Sequence, residues 1–399
     1  MVYWHALDYH GHKLACLSAS SLAGLFLGSL FWGVVTDHFG GMRDMLVVSH
    51  VLSAVAVSCN FLPIVRDFFP ALLGLTVLVS FLLAADFGVI DTLCLASTDS
   101  GDGEYGEMRA WNCLGCGLAS AVLGVTIPFA AVGVFSIFYA FLLLQIPILF
   151  MFIVFLPNPR SDKVAASESD ETLSLLKCLK SKESLFFLCD VFLYGLCISL
   201  PEVFGPIYYM EVLHGNSSLV GAAVLIMCLS EMLVFRFIEQ ILQKLGANYN
   251  MVRAACTFIL AVRCVGYCLV PKPLPWIALF VESLHGITFG AMWFVTVKRA
   301  DELAPHGARA TMQSVASSTY FFFSFGVGSL IWGHCIQPSP EGIGWPKSLQ
   351  LAACIAFAMF LWKCFVKRPS NSQAGLLKTV EDVEDSEDDS EVELKSSFP

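Results

Sequence analysis

Residues 281–309 read VESLHGITFGAMWFVTVKRADELAPHGAR. The stretch begins as an apolar run of about the 20 residues that a helix needs to cross a bilayer. Glu282 and His285 lie inside this run. Because an ionisable side chain is costly to place in hydrocarbon, such residues usually face the interior of a helical bundle and mark a transport or proton pathway. The stretch therefore predicts a membrane helix that contributes to a functional site.

The two apolar runs that precede this stretch also carry ionisable side chains. Arg263 lies near the middle of one, and Glu231 and Arg236 lie in the other. We expect Glu231 and Arg263 to pair with Glu282 and His285 around a polar cavity, since charges at that depth normally pair with one another. Arg236 is closer to the end of its run, where a long side chain can reach the polar interface.

The composition indicates the same class of protein. Of the 399 residues, 56% are hydrophobic and only 14% are charged, and the mean hydropathy is +0.71. Ordinary soluble domains are about 45–50% apolar and about 25% charged. The composition therefore excludes an ordinary soluble domain and predicts an all-α polytopic membrane protein.

Eleven segments are apolar over about the length that a bilayer requires. They are 14–36, 45–63, 69–96, 110–131, 133–156, 185–209, 218–242, 251–270, 274–297, 310–336 and 346–366. A polar insert separates the first five from the last six. We therefore expect an N-terminal bundle of five helices (1–157), a cytoplasmic linker (158–184), a C-terminal bundle of six helices (185–368) and a disordered acidic tail (369–399).

Lysine and arginine residues predict the orientation, because they are enriched in short cytoplasmic loops. If the loop after the first segment is cytoplasmic, seventeen of them fall on the cytoplasmic side and four on the other. The linker and the tail are then cytoplasmic. The net charge of −10 arises largely from nine acidic residues between Glu381 and Glu393, so it is mainly a property of the tail.

The two bundles are similar, but they differ in helix number. A polar turn with glycine and arginine follows the first predicted helix at 33–43, and a comparable turn at 243–253 follows the second helix of the C-terminal bundle. The turns correspond only if one helix is missing before Met1. We therefore expect a twelve-helix design of which about eleven helices are present.

This layout resembles the major facilitator superfamily of secondary transporters, which have six plus six helices and a cytoplasmic middle loop. Gly33, Asp37, Gly40 and Arg43 match the family turn G-x-x-x-D-x-x-G-x-x-R. The resemblance implies two pseudo-symmetric helical bundles. It also implies that these four residues belong to a cytoplasmic gate, in which the aspartate and the arginine pair across helix ends.

The stretch YGEMRAWNCLGCG (105–117) resembles the Y-G-x-x-R-x-W-G-x-x-G-x-G pattern of the lactose-permease-like and nucleoside–proton symporter-like branch. The chain has Asn112 where that branch usually has glycine. Arg109 is the arginine of the pattern and is included in the expected gate, where it can pair with Asp91. In lactose-permease relatives, an acid, a histidine and an arginine on helices eight to ten carry proton coupling. The resemblance therefore implies this role for Glu231 and for the three residues Arg263, Glu282 and His285, although the acid and the histidine of helix ten appear in swapped order.

Two interpretations of Glu282 and His285 remain open. They are three residues apart and so share a helix face, as a proton relay requires. A permanent ion pair that fixes helix packing gives the same pattern.

Four further residues are candidates for the substrate cavity. Asp86 lies inside an apolar segment, and Glu202 follows Pro201, where a broken helix can expose carbonyl groups, although a simple kink is the alternative. Trp293 and Tyr320 can stack on a ring-shaped substrate, although lipid-facing packing is the commoner reason for such aromatic residues.

Two functions from different classes follow. The first is a secondary active transporter that moves a small polar solute, such as a sugar or a nucleoside, by alternating access and with proton coupling. The second is a receptor or partner-binding membrane protein that resembles a transporter but has no flux, suggested by the absent first helix and the long tail. The sequence has no nucleophile elbow, phosphate-binding loop or metal cluster, so we do not expect an enzyme, a metal or a cofactor.

The expected partners are the solute, protons and the lipid bilayer, with no nucleic acid. We expect a monomer in the plasma membrane or an endolysosomal membrane, with a cytoplasmic C-terminal tail.

Overall fold

A computed structural model of the chain describes residues 11–39, 41–99, 105–126, 135–156, 178–246, 248–305 and 308–365. The predicted tail and residues 158–177 of the predicted linker lie outside these residues. The described part is almost entirely helical, as the apolar segments predict.

Twelve helices make up most of the described chain. They are α1 (Gly11–Phe39), α2 (Met42–Ser58), α3 (Phe69–Leu83), α4 (Ala85–Asp99), α5 (Tyr105–Thr126), α6 (Ser136–Phe155), α7 (Lys182–Val212), α8 (Ser217–Leu245), α9 (Tyr249–Leu269), α10 (Pro275–Leu303), α11 (Arg309–Cys335) and α12 (Trp345–Phe365). Nine helices of the described residues are long and apolar enough to cross a membrane. The chain is an integral, multi-pass membrane protein.

The predicted single helix 69–96 is wrong in one respect, because the structure divides it at Ala84 into α3 and α4. α3 is apolar but has only 15 residues, and α4 carries Asp86 and Asp91. Hydropathy measures the apolar character of a segment and does not detect a break in its backbone hydrogen bonding. The break places Asp86 in the first turn of α4.

Close backbone contact joins α1 to α3. A Cβ on Gly24 or Gly28 would collide with backbone carbonyls of α3, so the G-x-x-x-G spacing allows the two helices to touch. The indole of Trp32 donates to the carbonyl of Phe81 at 3.1 Å. The same face of α1 therefore fixes the register between the two helices.

Several helix pairs join the first part of the chain to the second, among them α5 with α8, α1 with α11 and α4 with α11. α5 packs along α8, where Gly106 meets the backbone of Phe235 and Gly117 meets Cys228. α1 packs along α11, where the hydroxyl of Ser29 donates to the carbonyl of Ser314 at 3.4 Å. These contacts form the interface between the first and the second part of the described chain.

Candidate functional site

Helices α7, α9 and α10 bring charged side chains together in the interior of the C-terminal bundle. Arg263 of α9 is fully buried, and its Nη2 donates to Oε2 of Glu282 on α10 at 2.7 Å. Its Nη1 donates to Oε1 of Glu202 on α7 at 2.8 Å. The hydroxyl of Tyr267, one turn further along α9, donates to Oε1 of Glu282 at 2.6 Å. Arg263 therefore links three helices through two carboxylates.

His285 of α10 connects this group to α8. Its Nε2 is 2.5 Å from Oε1 of Glu231, and its Nδ1 is 2.9 Å from Oε1 of Glu202 and 3.1 Å from Nη1 of Arg263. A doubly protonated ring donates to both carboxylates, whereas a ring without the Nδ1 proton accepts from Arg263 instead. One proton therefore decides which partners His285 bonds.

We call Glu202, Glu231, Arg263, Glu282 and His285 the charge network. Three carboxylates here face one guanidinium and one imidazole. With all three carboxylates ionised and the histidine protonated, the net charge is −1. A net charge in a buried membrane site is costly, and one further proton brings it to zero. The composition of the network therefore suits a site that takes up a proton.

The backbone next to His285 is also unusual. Residues Gly286–Ala291 form a π-helical turn, and the first N–H of this turn donates to the hydroxyl of Ser230 on α8 at 2.9 Å. The carbonyl of Thr288 accepts a hydrogen bond from the hydroxyl of Tyr194 on α7. π-helical turns occur frequently at functional sites. Here the turn allows neighbouring helices to bond the backbone that positions His285.

The charge network touches the first part of the chain through α5. The thiol of Cys113 donates to Oε2 of Glu231 at 3.0 Å, in a buried contact. This contact lies where α5 packs on α8. Glu231 therefore connects the charge network to the interface between the two parts of the chain.

Arg109, which the sequence assigned to the gate, lies beside Asp91. Its Nη1 is 3.5 Å from Oδ1 of Asp91, and the hydroxyl of Tyr105 donates to the same oxygen at 3.0 Å. The side chain of Trp293 on α10 also faces Asp91. The sequence analysis expected Arg109 to pair with Asp91, and the structure contains this pair. The pair joins α5 to α4, and the contact of Asp91 with Trp293 joins α4 to α10.

The other predicted gate residues are only partly described. Gly33 packs against the side chain of Ser314 on α11. Arg43 donates through Nε to Oδ1 of Asp44, its neighbour in sequence, at 3.2 Å. Gly40 and the side chain of Asp37 lie outside the described residues. Gly33 is therefore at the interface, and the gate remains a prediction.

Of the four predicted cavity residues, Glu202 belongs to the charge network and Asp86 is part of a separate group. Oδ1 of Asp86 is 2.9 Å from Nε2 of His50 on α2. Nδ1 of the same ring is 2.8 Å from Oε1 of Gln145 on α6. The structure therefore places Asp86 among α2, α4 and α6, away from the partners of Arg263.

Trp293 and Tyr320 lie together in an aromatic cluster. Their ring centroids are 5.5 Å apart, and Trp293 is 4.7 Å from Phe321. Phe289 packs between this cluster and the charge network, because its ring stacks on His285 at 5.2 Å. Both predicted aromatic residues are buried, so they do not form a lipid-facing belt.

Buried hydroxyl groups accompany the aromatic cluster on α11. Within the described part of the chain, the hydroxyls of Ser317, Ser318 and Tyr320 have no hydrogen-bond partner. All three side chains are almost fully buried. Because buried polar groups normally have partners, these hydroxyls are suited to bind a polar solute beside the aromatic rings.

The sequence missed a second buried ionic group in the C-terminal bundle. Asp190 of α7 pairs with Arg253 of α9, and its Oδ1 is 3.1 Å from Nζ of Lys363 on α12. Nζ of Lys363 also donates to the hydroxyl of Thr257 at 2.8 Å. Two signals were available: Arg253 and Thr257 are four residues apart and share a helix face, and Asp190 lies inside the apolar segment 185–209. Tyr267, four residues after Arg263, was missed in the same way.

The described residues contain no candidate metal site. No group of three or more His, Cys, Asp or Glu residues that could hold a metal ion occurs within the described ranges. The cysteines of those ranges are free thiols.

Comparison with known proteins gives a family and a fold. The sequence profile of the MFS_1 like family matches residues 1–342. Maltose permease of Geobacillus stearothermophilus is 24% identical over 310 residues, which cover 77% of this chain and 74% of the permease.

Two solved transporters have a similar fold. A mutant form of the nucleoside transporter NupG superposes with a TM-score of 0.69 at 16% identity, and the match covers 90% of this chain and 92% of NupG. A mutant form of the E. coli fucose:proton symporter FucP superposes with a TM-score of 0.63 at 12% identity, covering 90% of this chain and 91% of FucP. The likeness extends over nearly the whole described chain.

Proposed function

The chain belongs to the MFS_1 like family and is a secondary transporter, and we propose that it moves a small polar solute of the sugar or nucleoside class together with protons. The charge network is the observation that carries this proposal. It is buried, has one more acid than it has bases, and contains a histidine whose hydrogen bonds depend on one proton. The expected transport mechanism is alternating access between the two bundles.

The contact between Cys113 and Glu231 supports coupling to movement. Because this contact joins α5 to α8, proton uptake by the network alters a bond across the interface. A permanent structural ion pair, the alternative interpretation of Glu282 and His285, needs no such link and no excess of acids.

The surroundings of α11 support the solute class. Aromatic rings bind the faces of sugar and base rings, and hydroxyl groups bind solute hydroxyls. Trp293 and Tyr320 supply the rings, and Ser317 and Ser318 supply buried hydroxyls. The relatives agree with this class, since they are a maltose permease, a nucleoside transporter and a fucose:proton symporter.

Glu282→Gln tests the proton coupling. Glutamine keeps one oxygen that accepts from Arg263, and its NH₂ group can donate to the hydroxyl of Tyr267, but it cannot gain or lose a proton. We expect the variant to lose solute accumulation driven by a pH gradient by at least about tenfold and to retain exchange without a gradient. The measurement is uptake into proteoliposomes of radiolabelled sugars and nucleosides, with and without an imposed gradient and a protonophore.

Glu302→Gln is the matched control, because it makes the same substitution on the same helix at a partly exposed residue that bonds Arg299. It is expected to accumulate solute like the wild type. Wild-type uptake that is insensitive to the gradient, or full gradient-driven accumulation by Glu282→Gln, would contradict proton coupling at this site.

We further infer that the C-terminal tail is cytoplasmic and that the protein is a monomer of the plasma membrane or an endolysosomal membrane. The lysine and arginine distribution supports the orientation. An epitope tag after Pro399 is expected to bind antibody only after the plasma membrane is permeabilised. Binding to intact cells that express the protein at their surface would overturn this orientation.

A further inference from the structure

A second polar group lies inside the membrane-spanning part of the protein, away from the charge network. It consists of His50 on α2, Asp86 on α4 and Gln145 on α6. Nε2 of His50 is 2.9 Å from Oδ1 of Asp86, and Nδ1 is 2.8 Å from Oε1 of Gln145. The imidazole therefore bridges two oxygens from two other helices.

The group lies at mid-membrane depth. His50 is near the middle of α2 and Gln145 is near the middle of α6, and both side chains are about 95% buried. Asp86 is in the first turn of α4, directly after the break at Ala84. Its side chain is one-third exposed, so part of it is open. Broken helices commonly carry the ion and substrate sites of transporters.

Among the charged residues on the neighbouring helices, Asp86 is the one that pairs with His50. α3 and α6 contain no ionisable side chain next to this group, and Phe152 of α6 packs edge-on against the imidazole at 5.1 Å. On α2, Arg43 pairs with Asp44 at the far end of the helix. On α4, Asp91 is paired with Arg109. On α1, the charged or histidine residues are His12, Lys13, Asp37 and His38, and all four lie near the helix ends.

The hydrogen-bond geometry fits a protonated imidazole. Both ring nitrogens face oxygens, and only a doubly protonated ring donates to two acceptors at once. If the ring loses the Nδ1 proton, the Gln145 amide can turn and donate its N–H₂ group to the nitrogen. Gln145 therefore accommodates both states, whereas a second carboxylate would fix the proton in place. Histidine is also the side chain that most readily changes charge near neutral pH.

We propose that His50 and Asp86 form a proton-binding site of their own, so that the transporter moves two protons with each solute, one through this site and one through the charge network. The inference rests on the proposed function, since it assumes proton-coupled transport. The ligand of this site is a proton, which is shared by an imidazole nitrogen of His50 and the carboxylate of Asp86.

The test is the proton-to-solute ratio of wild type and His50→Gln in proteoliposomes at zero membrane potential. With a gradient of one pH unit, two protons support about 100-fold accumulation at equilibrium and one proton supports about tenfold. We expect about 100-fold for the wild type and for the Glu302→Gln control, and about tenfold for His50→Gln. Glutamine retains a donor for Asp86, which should preserve folding.

Asp86→Asn serves as a second variant if His50→Gln does not fold, and it is also expected to reduce the ratio to one. A wild-type ratio of one, or a ratio of two in either variant, overturns the second site and leaves the proposed function intact. A wild-type protein without any gradient-driven accumulation overturns the proposed function and this site together. The two failures are therefore distinguishable.

Discussion

Arg263→Met is expected to abolish pH-driven solute accumulation and to reduce the amount of folded protein. Arg263 is fully buried and donates to Glu202, Glu282 and Thr288 through its two terminal nitrogens. Without it, three carboxylates face a single histidine. Removing one partner from a buried ion pair typically costs about 3–5 kcal/mol, because the other charge is left uncompensated. We expect coupled transport to fall by at least about 100-fold, which corresponds to about 2.7 kcal/mol.

Arg263→Lys separates charge from geometry. An ammonium group keeps the positive charge but has one nitrogen, so it cannot occupy the positions of Nη1 and Nη2 at once. We expect Arg263→Lys to fold and to transport about 10- to 100-fold more slowly than the wild type. Wild-type rates in this variant would show that charge alone is sufficient at this position.

The double variant Arg263→Met/Glu282→Gln distinguishes a folding role from a coupling role. It removes one positive and one negative group, so the charge balance of the network is restored. We expect it to recover most of the folded yield of the wild type, measured by size-exclusion chromatography in detergent, without recovering accumulation. Recovery of accumulation would show that Arg263 and Glu282 only hold the helices together. Arg299→Met, at a partly exposed arginine, is the control for loss of a positive charge.

Much of the site could be predicted because intramembrane charges are few. Glu231, Arg263, Glu282 and His285 stand out in apolar segments, and the cost of burying them leaves mutual pairing as the main solution. The structure brings these four together. It also adds Glu202, which the sequence assigned to the cavity because of the neighbouring proline. The sequence shows which buried charged groups need a partner. It does not show which of several acidic residues will pair with a given arginine, as Glu202 and Glu282 do with Arg263.

The sequence was least informative where polar residues stand near helix ends. The lysine and arginine count placed Arg253 and Lys363 on the cytoplasmic side, yet both side chains are about 95% buried in the structure. A residue in the first or last turn of a helix can face either the interface or a neighbouring helix. The position of the partner decides between these two orientations. Here the partner is Asp190, which lies on a different helix, more than 60 residues before Arg253 and more than 170 before Lys363, so sequence spacing does not reveal it.

The group of His50, Asp86 and Gln145 was hidden for a related reason. Each residue is the only member of the group on its helix, and 95 residues separate His50 from Gln145. No spacing rule within a helix connects them, in contrast to Glu282 and His285. The break at Ala84, which directly precedes the turn that carries Asp86, leaves the hydropathy of the segment unchanged.

Asp190→Asn is the substitution with the largest expected effect on stability alone. Asp190 is the shared carboxylate of two buried cations, Arg253 and Lys363. Asparagine has nearly the same shape, so the change creates no cavity but leaves two positive groups facing each other. We expect a loss of about 3–5 kcal/mol, which lowers the thermal midpoint in detergent by roughly 10 °C.

Lys363→Met provides the matched test of this explanation. On its own it leaves Asp190 paired with Arg253, so its cost is expected to be clearly smaller than that of Asp190→Asn. In the double variant with Asp190→Asn, one of the two uncompensated cations is gone, and we expect at least half of the lost stability to return. Glu183→Gln is the control, since it alters an exposed carboxylate on the same helix α7. A midpoint for Asp190→Asn within about 2 °C of the wild type, or no recovery in the double variant, would show that the two cations do not depend on Asp190.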